Sequence, residues 1–477
     1  MRHILLTNDF PPKVGGIQSY LWELWRRLPP DDVTVLTASR DESDWWDAQQ
    51  KFRVIRSREP VLLPNPHLAR KVRRLAGTFG AEAVVIDPAL PLGLLGPHLG
   101  LPYALVLHGA EVTVPGRLPV SRQLLVRALS SASLWIAAGG YPEAEARRAI
   151  RGGGKAARSG EVPKEVPKGE VPKGDVPSGE VRGGGPVGEG PVGEGPVGEG
   201  PVGEGPVGEG PVGEGIDASG SAGPPSVRIP PGVDTERFHP LARIDRLAAR
   251  ARFGLAARGP LVVSVSRLVP RKGMDTLIEA AGRASSRIPG LSVAIAGDGR
   301  DRGRLERLAA ASTVPVKLLG ELTDAELPEF YASSDCFALC SRSRWGGLEQ
   351  EGFGAVLVEA ASSGVPCITI EGGGVSEAVV DGETGFVVRP AVKAKTGRFA
   401  LSHGRAAEAD GVAEALVQVL TKPALARRMG EAGRRRAERE LSYDVLALRL
   451  AEALSELAAP PGQAPRPLGH RSPDAGA

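Results

Sequence analysis

Short apolar runs that are rich in β-branched residues alternate with amphipathic segments along most of the chain, and this alternation constrains the fold more than any other feature. The runs form two series, at 3–7, 33–37, 83–87, 104–107 and 134–138, and then at 261–266, 292–296, 316–319, 336–340, 366–370 and 385–388. Almost wholly apolar runs are typical of parallel strands that helices cover on both faces. Repeated strand–helix units wind into open, right-handed sheets. We therefore predict an α/β fold of two Rossmann-like, doubly wound domains that face a cleft.

One segment, 151–225, interrupts the two series. It contains no Leu, Phe, Trp, Tyr or Met, and the pentamer Pro-Val-Gly-Glu-Gly occurs six times in tandem from Pro186 to Gly215. Because such a composition cannot bury an apolar face, we expect a disordered Gly/Pro/Glu repeat insertion. A surface loop tolerates an insertion of this kind, since the entropy of loop closure grows slowly with length. The alternative is an arm that binds a partner.

Composition excludes several classes of protein. The 59 Lys and Arg residues nearly balance the 56 Asp and Glu residues, and a net charge of +3 is too small to argue for nucleic acid. It does suit an anionic substrate or an anionic membrane surface. Three Cys residues exclude a disulfide framework, and we find no metal motif, so we expect neither a metal nor a cofactor. No apolar run reaches about 20 residues and the chain enters a strand-like run at once, so we expect a cytoplasmic protein without a signal peptide.

Two glycines open a helix beyond the first predicted strand. Gly15 and Gly16 follow a proline-rich loop after the run 3–7. Glycines at a helix N-terminus let the backbone approach an anion, whose charge the exposed N–H groups favour. The pattern therefore indicates a phosphate contact, with a simple turn and helix start as the alternative.

Basic residues follow the predicted strand 261–266. Arg267 and Lys272 lie just beyond its carboxyl end, which is where open α/β sheets bind ligands. A guanidinium and an ammonium together suit a diphosphate, and Arg271 is a less favoured third contact. The alternative is a solvated basic loop. A glycine turn after the next strand lies beside the nucleotide or is only a tight connection: Gly297, Asp298 and Gly299.

Two carboxylates, Glu351 and Glu359, stand on either side of a glycine turn. Glu351 precedes a predicted helix that begins near Ala355, and Glu359 lies within it. A helix N-terminus can receive a phosphate, and the vicinal diols of sugars pair well with carboxylates. We predict that Glu351 binds a sugar and Glu359 a ribose, since a capping role would leave the glycines unexplained. The turn and the helix start complete this predicted donor site: Gly352, Phe353, Gly354, Ala355 and Val356.

Taken together, these motifs resemble the retaining glycosyltransferases of family four, which have the GT-B fold. The likeness covers about 1–150 and 226–457, and it implies a nucleotide-sugar donor and metal-independent chemistry. It implies that Arg267 and Lys272 neutralise the leaving diphosphate, and that Gly16 touches the phosphate from the other domain. His108, which ends the apolar run 104–107, matches the catalytic-site histidine of that family. A lone histidine in such a place is otherwise structural.

The resemblance and the composition of the chain together predict its organisation. The N-terminal acceptor domain spans 1–150, the insertion spans 151–225, and the C-terminal nucleotide-sugar domain spans 226–440. A helix at 441–459 packs back on the N-terminal domain, and a disordered tail follows at 460–477.

A closer likeness points to a substrate class. The segments around Asn8 and Gln18 resemble mannosyltransferases that build phosphatidylinositol mannosides in actinobacteria, which implies GDP-mannose as donor and a lipid or glycan acceptor. The residues expected to bind the acceptor are Asn8, Asp9, Gln18 and Tyr20. Alternatives are a transferase that uses another nucleotide sugar, of the UDP-glucose type, on a soluble or polysaccharide acceptor, and an inactive transferase-like scaffold with a repeat arm.

A basic amphipathic helix supports a membrane-facing acceptor. Leu68, Val72, Leu75 and Phe79 fall on one face, and basic residues surround the other. Such a helix can lie on anionic lipid, so we expect peripheral attachment to the inner face of the cell membrane. An ordinary surface helix of a doubly wound domain is the alternative. The predicted membrane-facing residues are Arg70, Lys71, Arg73 and Arg74.

Overall fold

The computed structural model describes residues 1–40, 43–152, 223–389 and 398–458, and in these ranges the chain forms two parallel β-sheets covered by helices. The fold predicted from the alternating pattern is confirmed. The predicted repeat insertion lies outside the described residues except at its two ends, and the predicted tail lies wholly outside them.

The first sheet belongs to the N-terminal domain. Its strands are β1 (His3–Thr7), β2 (Val33–Ala38), β3 (Arg53–Ser57), β4 (Ala83–Asp87), β5 (Tyr103–Leu107), β6 (Leu134–Ala137) and β7 (Ser226–Arg228). Their order across the sheet is β3-β2-β1-β4-β5-β6-β7. Its helices are α1 (Gly16–Trp25), α2 (Ser43–Asp47), α3 (Pro66–Phe79), α4 (Ala110–Gly116), α5 (Pro119–Ser130) and α6 (Gly140–Arg151).

The second sheet belongs to the C-terminal domain. Its strands are β8 (Leu261–Val265), β9 (Ser292–Ala296), β10 (Val316–Gly320), β11 (Cys336–Leu339), β12 (Cys367–Ile370) and β13 (Gly385–Val388), in the order β10-β9-β8-β11-β12-β13. Its helices are α7 (Arg243–Arg252), α8 (Met274–Ala284), α9 (Arg302–Ala310), α10 (Leu327–Ala332), α11 (Ala355–Ser362), α12 (Val375–Ala378), α13 (Arg398–Thr421) and α14 (Pro423–Arg436). A last helix, α15 (Tyr443–Ala458), follows a π-helical turn at Ala437–Leu441.

Both faces of the first sheet are buried, which explains why its strands read as continuous apolar runs. On β1, Ile4 and Leu6 pack into the cluster on one face, and Leu5 packs into the cluster on the other. Helix α15 belongs to the second of these clusters, because Leu446 and Leu450 pack with residues of α1 and the sheet. The C-terminal helix therefore completes the core of the N-terminal domain.

Two strands of the first sheet lie outside the predicted runs. The strand β3 is an edge strand whose residues are only partly buried, so its sequence shows no strong apolar run. The strand β7 has three residues and pairs with β6 in parallel. The N-terminal sheet therefore continues past 225, where the sequence analysis placed the start of the second domain.

Protein rather than lipid covers the apolar face of the basic helix, so the predicted membrane attachment is left to its basic residues. This face of α3 packs inside the N-terminal domain, with Leu68 5% and Val72 1% exposed, and Leu75 and Phe79 pack against the same cluster. The helix is amphipathic because the protein core covers its apolar side. Across the described part of the chain, all helices fall short of the length and apolarity that crossing a membrane requires.

Candidate active site

The site lies at the carboxyl ends of strands on either side of the point where strand order reverses in each sheet. In the first sheet this point lies between β1 and β4, where Thr7 and Asp87 are neighbours in register. In the second sheet it lies between β8 and β11. Loops diverge at such switch points and leave a crevice, which is where open α/β sheets bind ligands.

A buried cluster of charges occupies the C-terminal side of the site. Glu351 accepts hydrogen bonds from the Lys272 ammonium and from Arg271 Nη1, each at 2.7 Å. Burial works to raise the pKa of Glu351, but the two cations outweigh it and hold the pKa below its ordinary value. Burial lowers the pKa of Lys272, against the opposing effect of Glu351. Glu351 is therefore an ionised carboxylate that pairs with two cations.

Gly273 brings Lys272 to this position. It has φ +70°, a conformation that favours glycine, and a Cβ there would overlap the carbonyl oxygen of Cys340 at the end of β11. The turn Pro270–Lys272 can therefore press against the neighbouring strand end. Arg267 remains exposed at the carboxyl end of β8, close enough for its charge to help lower the pKa of Lys272.

The predicted glycine turn after β9 lies beside this basic loop. A Cβ on Gly297 would overlap the carbonyl oxygen of Ser266, and one on Gly299 would overlap that of Leu268. The two glycines are thus required for close packing of adjacent loops. Asp298 is exposed and accepts a hydrogen bond from the backbone N–H of Gly299 at 2.7 Å.

The helix α11 begins at Ala355, as the glycine pattern predicts. Gly354 precedes it in the left-handed conformation, with φ +81°, and Phe353 is 4% exposed. The backbone N–H groups of the first turn, which includes Val356, have no side-chain cap at the N-cap position. The helix therefore offers unsatisfied donors and a positive dipole end to an anion in the crevice.

Glu359 lies in α11, one helical turn beyond Ala355. Its carboxylate accepts a hydrogen bond from the Tyr331 hydroxyl at 2.7 Å. Burial raises the pKa of Glu359, and the hydrogen bond from Tyr331 opposes that shift. The tyrosine holds one oxygen of the carboxylate and so restricts its orientation.

His108 lies on the N-terminal side, directly after β5. Its Nε2 is 2.7 Å from Asp87 Oδ1, and Thr7 donates to the other oxygen of Asp87 at 2.7 Å. Burial lowers the pKa of His108, but Asp87 and, more weakly, Glu111 outweigh it and raise the pKa above its ordinary value. Asp87 is fully buried, so it fixes the orientation of the ring and leaves Nδ1 for other contacts.

The N-terminal glycine loop leaves room for a ligand. Gly16 is the first residue of α1, and a Cβ built on it would find no atom within 4 Å. A Cβ on Gly15, by contrast, would overlap the side-chain oxygen of Gln18. Gln18 donates to Asp9 at 2.5 Å, and Lys13 pairs with the same oxygen of Asp9, so the three side chains form a partly buried polar group beside the loop.

The structure places two of the predicted acceptor residues in supporting positions. Tyr20 is 2% exposed and donates its hydroxyl to the Ile229 carbonyl at 2.8 Å, so it cannot reach a substrate in this arrangement. Asn8 pairs both side-chain atoms with the backbone of Leu62, at 2.7 and 3.0 Å. The acceptor role of Asn8, Asp9, Gln18 and Tyr20 stays a prediction, and Asp9 is the member of the four that is partly exposed and pairs with both Lys13 and Gln18.

The two sides of the site meet at Gly352. A Cβ on Gly352 would lie 3.5 Å from the carbonyl oxygen of His108, so the turn at 351–354, here called the donor loop, approaches the histidine closely. Sequence reasoning missed Asp87 and Tyr331. No local pattern identifies an aspartate at another strand end as the partner of His108, or a distant tyrosine as the partner of Glu359. It also treated Arg271 as a less favoured phosphate contact than Arg267, although Arg271 is the guanidinium that contacts Glu351.

Two parallel sheets, each with charged side chains at its switch point, define an enzyme of two Rossmann-like domains. The chain belongs to the group 1 glycosyltransferases: the model of that family, described as "Glycosyl transferases group 1", matches residues 245–398. This match includes the basic loop, the glutamate pair and the glycine turns of the C-terminal domain.

Relatives of known activity match nearly the whole chain. The GDP-mannose-dependent alpha-(1-6)-phosphatidylinositol monomannoside mannosyltransferase of Mycolicibacterium smegmatis is 31% identical over 95% of this chain and 98% of its own length. The corresponding enzyme of Corynebacterium glutamicum, which is named for a monoacylated acceptor, is 28% identical over 94% of this chain and 97% of its own length. Among solved structures, Anabaena HepE with UDP has a TM-score of 0.65 and 18% identity, and covers 96% of this chain and all of its own. The last likeness shows the fold.

Proposed function

We propose that this protein transfers mannose from GDP-mannose to a lipid-linked acceptor of the phosphatidylinositol mannoside class, with retention of the anomeric configuration. The observation that carries the proposal is the largely buried cluster of Glu351, Lys272 and Arg271, which adjoins Gly352, where a Cβ would lie 3.5 Å from the carbonyl oxygen of His108. The similarity to mannosyltransferases along almost all of the chain supports the choice of donor and acceptor.

The charges of the C-terminal side suit a nucleoside diphosphate leaving group. Lys272, Arg271 and the exposed Arg267 supply three positive charges, and the carboxylates that oppose them are Glu351 and Glu349, which lies 3.6 Å from Arg271 and also pairs with Arg344. The N-terminus of α11 adds a positive dipole end at the same edge of the sheet. The site therefore stabilises negative charge that grows on the phosphate as the sugar leaves, which lowers the barrier of the chemical step.

The two glutamates supply acceptors for hydroxyl groups. Glu351 is ionised and its second oxygen can accept from a sugar hydroxyl, while Glu359 can accept from a ribose hydroxyl. Because Glu351 is already bound to Lys272, one contact positions the sugar and the diphosphate relative to each other. This coupling matters because a near-attack geometry accounts for a large part of the rate of a group transfer.

Retention follows if the acceptor attacks from the face that the phosphate leaves. In that step the bond from the anomeric carbon to the phosphate oxygen breaks and the bond to the acceptor oxygen forms. The proton of the acceptor hydroxyl passes to the departing phosphate oxygen. His108, oriented by Asp87, lies on the N-terminal wall of the crevice, where its ring can hold a sugar hydroxyl during this step.

A donor and acceptor screen tests the proposal. The purified enzyme is incubated with GDP-mannose, UDP-glucose or UDP-N-acetylglucosamine, with and without phosphatidylinositol monomannoside in vesicles. We expect product only with GDP-mannose and the lipid, and an α-anomeric signal in the proton NMR spectrum of the product. Turnover of a UDP-sugar in place of GDP-mannose would replace the proposal by the alternative donor class, and an inverted product would exclude the same-face step.

We also propose that the protein attaches peripherally to the inner face of the cell membrane through charge. Arg70, Arg73 and Arg74 are exposed on α3, whereas the apolar side of that helix lies in the core. Lys71 is partly buried and donates to Ser57 at 3.1 Å. At about 1 kcal/mol for each basic residue near an anionic surface, the three arginines give reversible binding that salt weakens.

Vesicle co-sedimentation tests this attachment. Changing the three arginines of α3 to Gln should weaken binding to anionic vesicles by about 100-fold, since about 3 kcal/mol is removed. A matched control carries the same change of charge on exposed arginines of the C-terminal domain: Arg307→Gln, Arg427→Gln and Arg428→Gln. Equal loss in both variants would show that net charge alone, rather than this surface, governs binding.

A further inference from the structure

Glu377 is a carboxylate of the C-terminal domain that binds the N-terminus of a helix in the N-terminal domain. It lies in α12, and both of its oxygens accept from the backbone N–H of Gly140, at 2.8 and 2.9 Å. One oxygen also accepts from the N–H of Tyr141 at 3.2 Å. These are the first two residues of α6, a helix of 12 residues. The carboxylate therefore caps a helix that belongs to the other domain.

Local sequence makes room for this contact. A Cβ on Gly139 or on Gly140 would lie 3.2 Å from an oxygen of Glu377, which is tighter than an ordinary van der Waals contact. The N-cap of α6 has no side-chain hydrogen bond of its own. The positive end of the helix dipole and two free N–H groups thus find their partner across the interdomain boundary, in an interaction that favours a charged acceptor.

The glycine turn that precedes α12, at Gly373 and Gly374, packs against the donor loop. Gly374 donates its N–H to the Glu351 carbonyl at 3.2 Å, and a Cβ on Gly373 or Gly374 would overlap the carbonyl oxygens of Glu351 and Gly352. Arg436 donates to the carbonyl oxygens of Glu377 and Ala378, at 2.7 and 2.9 Å, and so anchors α12 from behind. The ring of Phe353 lies 3.6 Å from the Cβ position of Gly139. Donor loop, glycine turn and Glu377 therefore meet α6 as one unit.

We propose that Glu377 is a positioning residue for the transfer reaction. Its contact with α6 stabilises the arrangement in which the donor loop, with Glu351, lies against His108. The inference rests on the proposed function for the nature of the reaction, but the contact itself does not depend on which sugar is transferred. Loss of the contact shifts the population towards separated domains, and a closed arrangement is what completes a two-domain site.

The experiment combines kinetics with a distance measurement. Glu377→Ala removes the acceptor, Glu377→Gln keeps its volume and one oxygen but loses its charge, and Glu383→Ala changes an exposed glutamate nearby as the control. Fluorophores are attached at Thr78→Cys on α3 and Ala310→Cys on α9, both exposed. Labelling is specific because the three native cysteines, Cys336, Cys340 and Cys367, are all buried.

We expect Glu377→Ala to lower kcat about tenfold and Glu377→Gln to lower it about threefold, as charge-assisted hydrogen bonds are lost. Energy transfer between the labels should fall in the same order, while the Kd for GDP changes less than about threefold, because the donor site lies in the C-terminal domain. The control should match the parent in all three measurements. If Glu377→Ala does not fold, Glu377→Gln carries the test.

Unchanged energy transfer and unchanged kcat in the Gln and Ala variants would overturn the role of Glu377. A fall in kcat together with an equal fall in GDP affinity would also overturn it, because the residue would then support the donor site alone. The distance measurement separates this inference from the proposed function. If GDP-mannose is not the donor, the parent lacks transfer activity, yet the labels still report whether Glu377 holds the domains together.

Discussion

Changing Lys272 to Met should lower turnover about 100-fold while the protein remains folded. The ammonium of Lys272 is held 2.7 Å from Glu351, in a pair whose side chains are 11% and 13% exposed. Methionine keeps the length and the apolar stem of the side chain but removes the charge. Glu351 retains Arg271 as a partner at the same distance, so the substitution does not leave a buried carboxylate alone.

The two effects of this change have different sizes. Removal of one donor that stabilises charge in the transition state costs about 100-fold in rate, which corresponds to about 2.7 kcal/mol. Removal of one hydrogen bond to a charged group costs about 2 kcal/mol of unfolding free energy when another partner remains. For a domain of about 200 residues, that loss lowers Tm by about 4–8 °C. The protein should therefore be folded and slow at 25 °C.

The assay measures kcat with GDP-mannose and lipid acceptor, together with Tm, for Lys272→Met and for Arg271→Met. Arg271 binds Glu351 and lies 3.6 Å from Glu349, so more of its charge is already compensated within the protein. We expect Arg271→Met to lose a similar amount of stability but at most about tenfold in kcat. A change in kcat of only a few-fold in Lys272→Met, or equal losses in both variants, would refute the assignment of Lys272 to the leaving diphosphate.

Three further outcomes are expected. The pKa of His108 lies above the ordinary 6.5, so its stabilising effect is fully present below pH 6.5 and is lost as pH rises through the folded-state pKa. In urea unfolding, the parent should therefore have a higher free energy of unfolding than His108→Gln, by a difference that shrinks from pH 5.5 to pH 9. A difference that stays constant with pH would contradict this. Tyr331→Phe should raise the donor KM about fivefold with little change in kcat. The rise in KM should be larger at low pH, because loss of the hydrogen bond raises the pKa of Glu359 further. A change in kcat alone would count against a binding role. Deletion of 160–220 should leave Tm and donor turnover within error of the parent, because that composition cannot form a core; a large fall in either would show that the segment is part of the fold.

The sequence predicts the sheets and the start of α11 because the signals for them are local. Continuous apolar runs mark strands that are buried on both faces, and a glycine in the left-handed conformation before Ala355 marks a helix start. The strand β7 escapes this reasoning, since three residues are too few to show a period. It forms a strand because the neighbouring strand β6 offers backbone groups to pair with, not because of its own sequence.

The contacts between side chains could not be predicted in the same way. Asp87 and His108 are 21 positions apart, and Tyr331 and Glu359 are 28 apart, so only the strand order brings them together. The helix α3 shows a related limit. Its periodicity predicts an apolar face, but the same pattern results whether lipid or the protein core covers that face. Only the packing of Leu68 and Val72 against the sheet decides between them.

Helix α15 has a consequence for how the protein is made. Its residues Leu446, Leu450 and Leu454 complete an apolar cluster of the N-terminal domain, yet they are among the last described residues of the chain. During synthesis this face of the first sheet therefore leaves the ribosome covered only in part, by α1, and it stays so until the whole C-terminal domain has been translated. Exposed apolar surface of this kind on a nascent chain is prone to aggregation and is what chaperones bind. The domain that is translated first is thus the last to complete its core. Its folding in a cell should therefore depend on chaperones more than the folding of the C-terminal domain does.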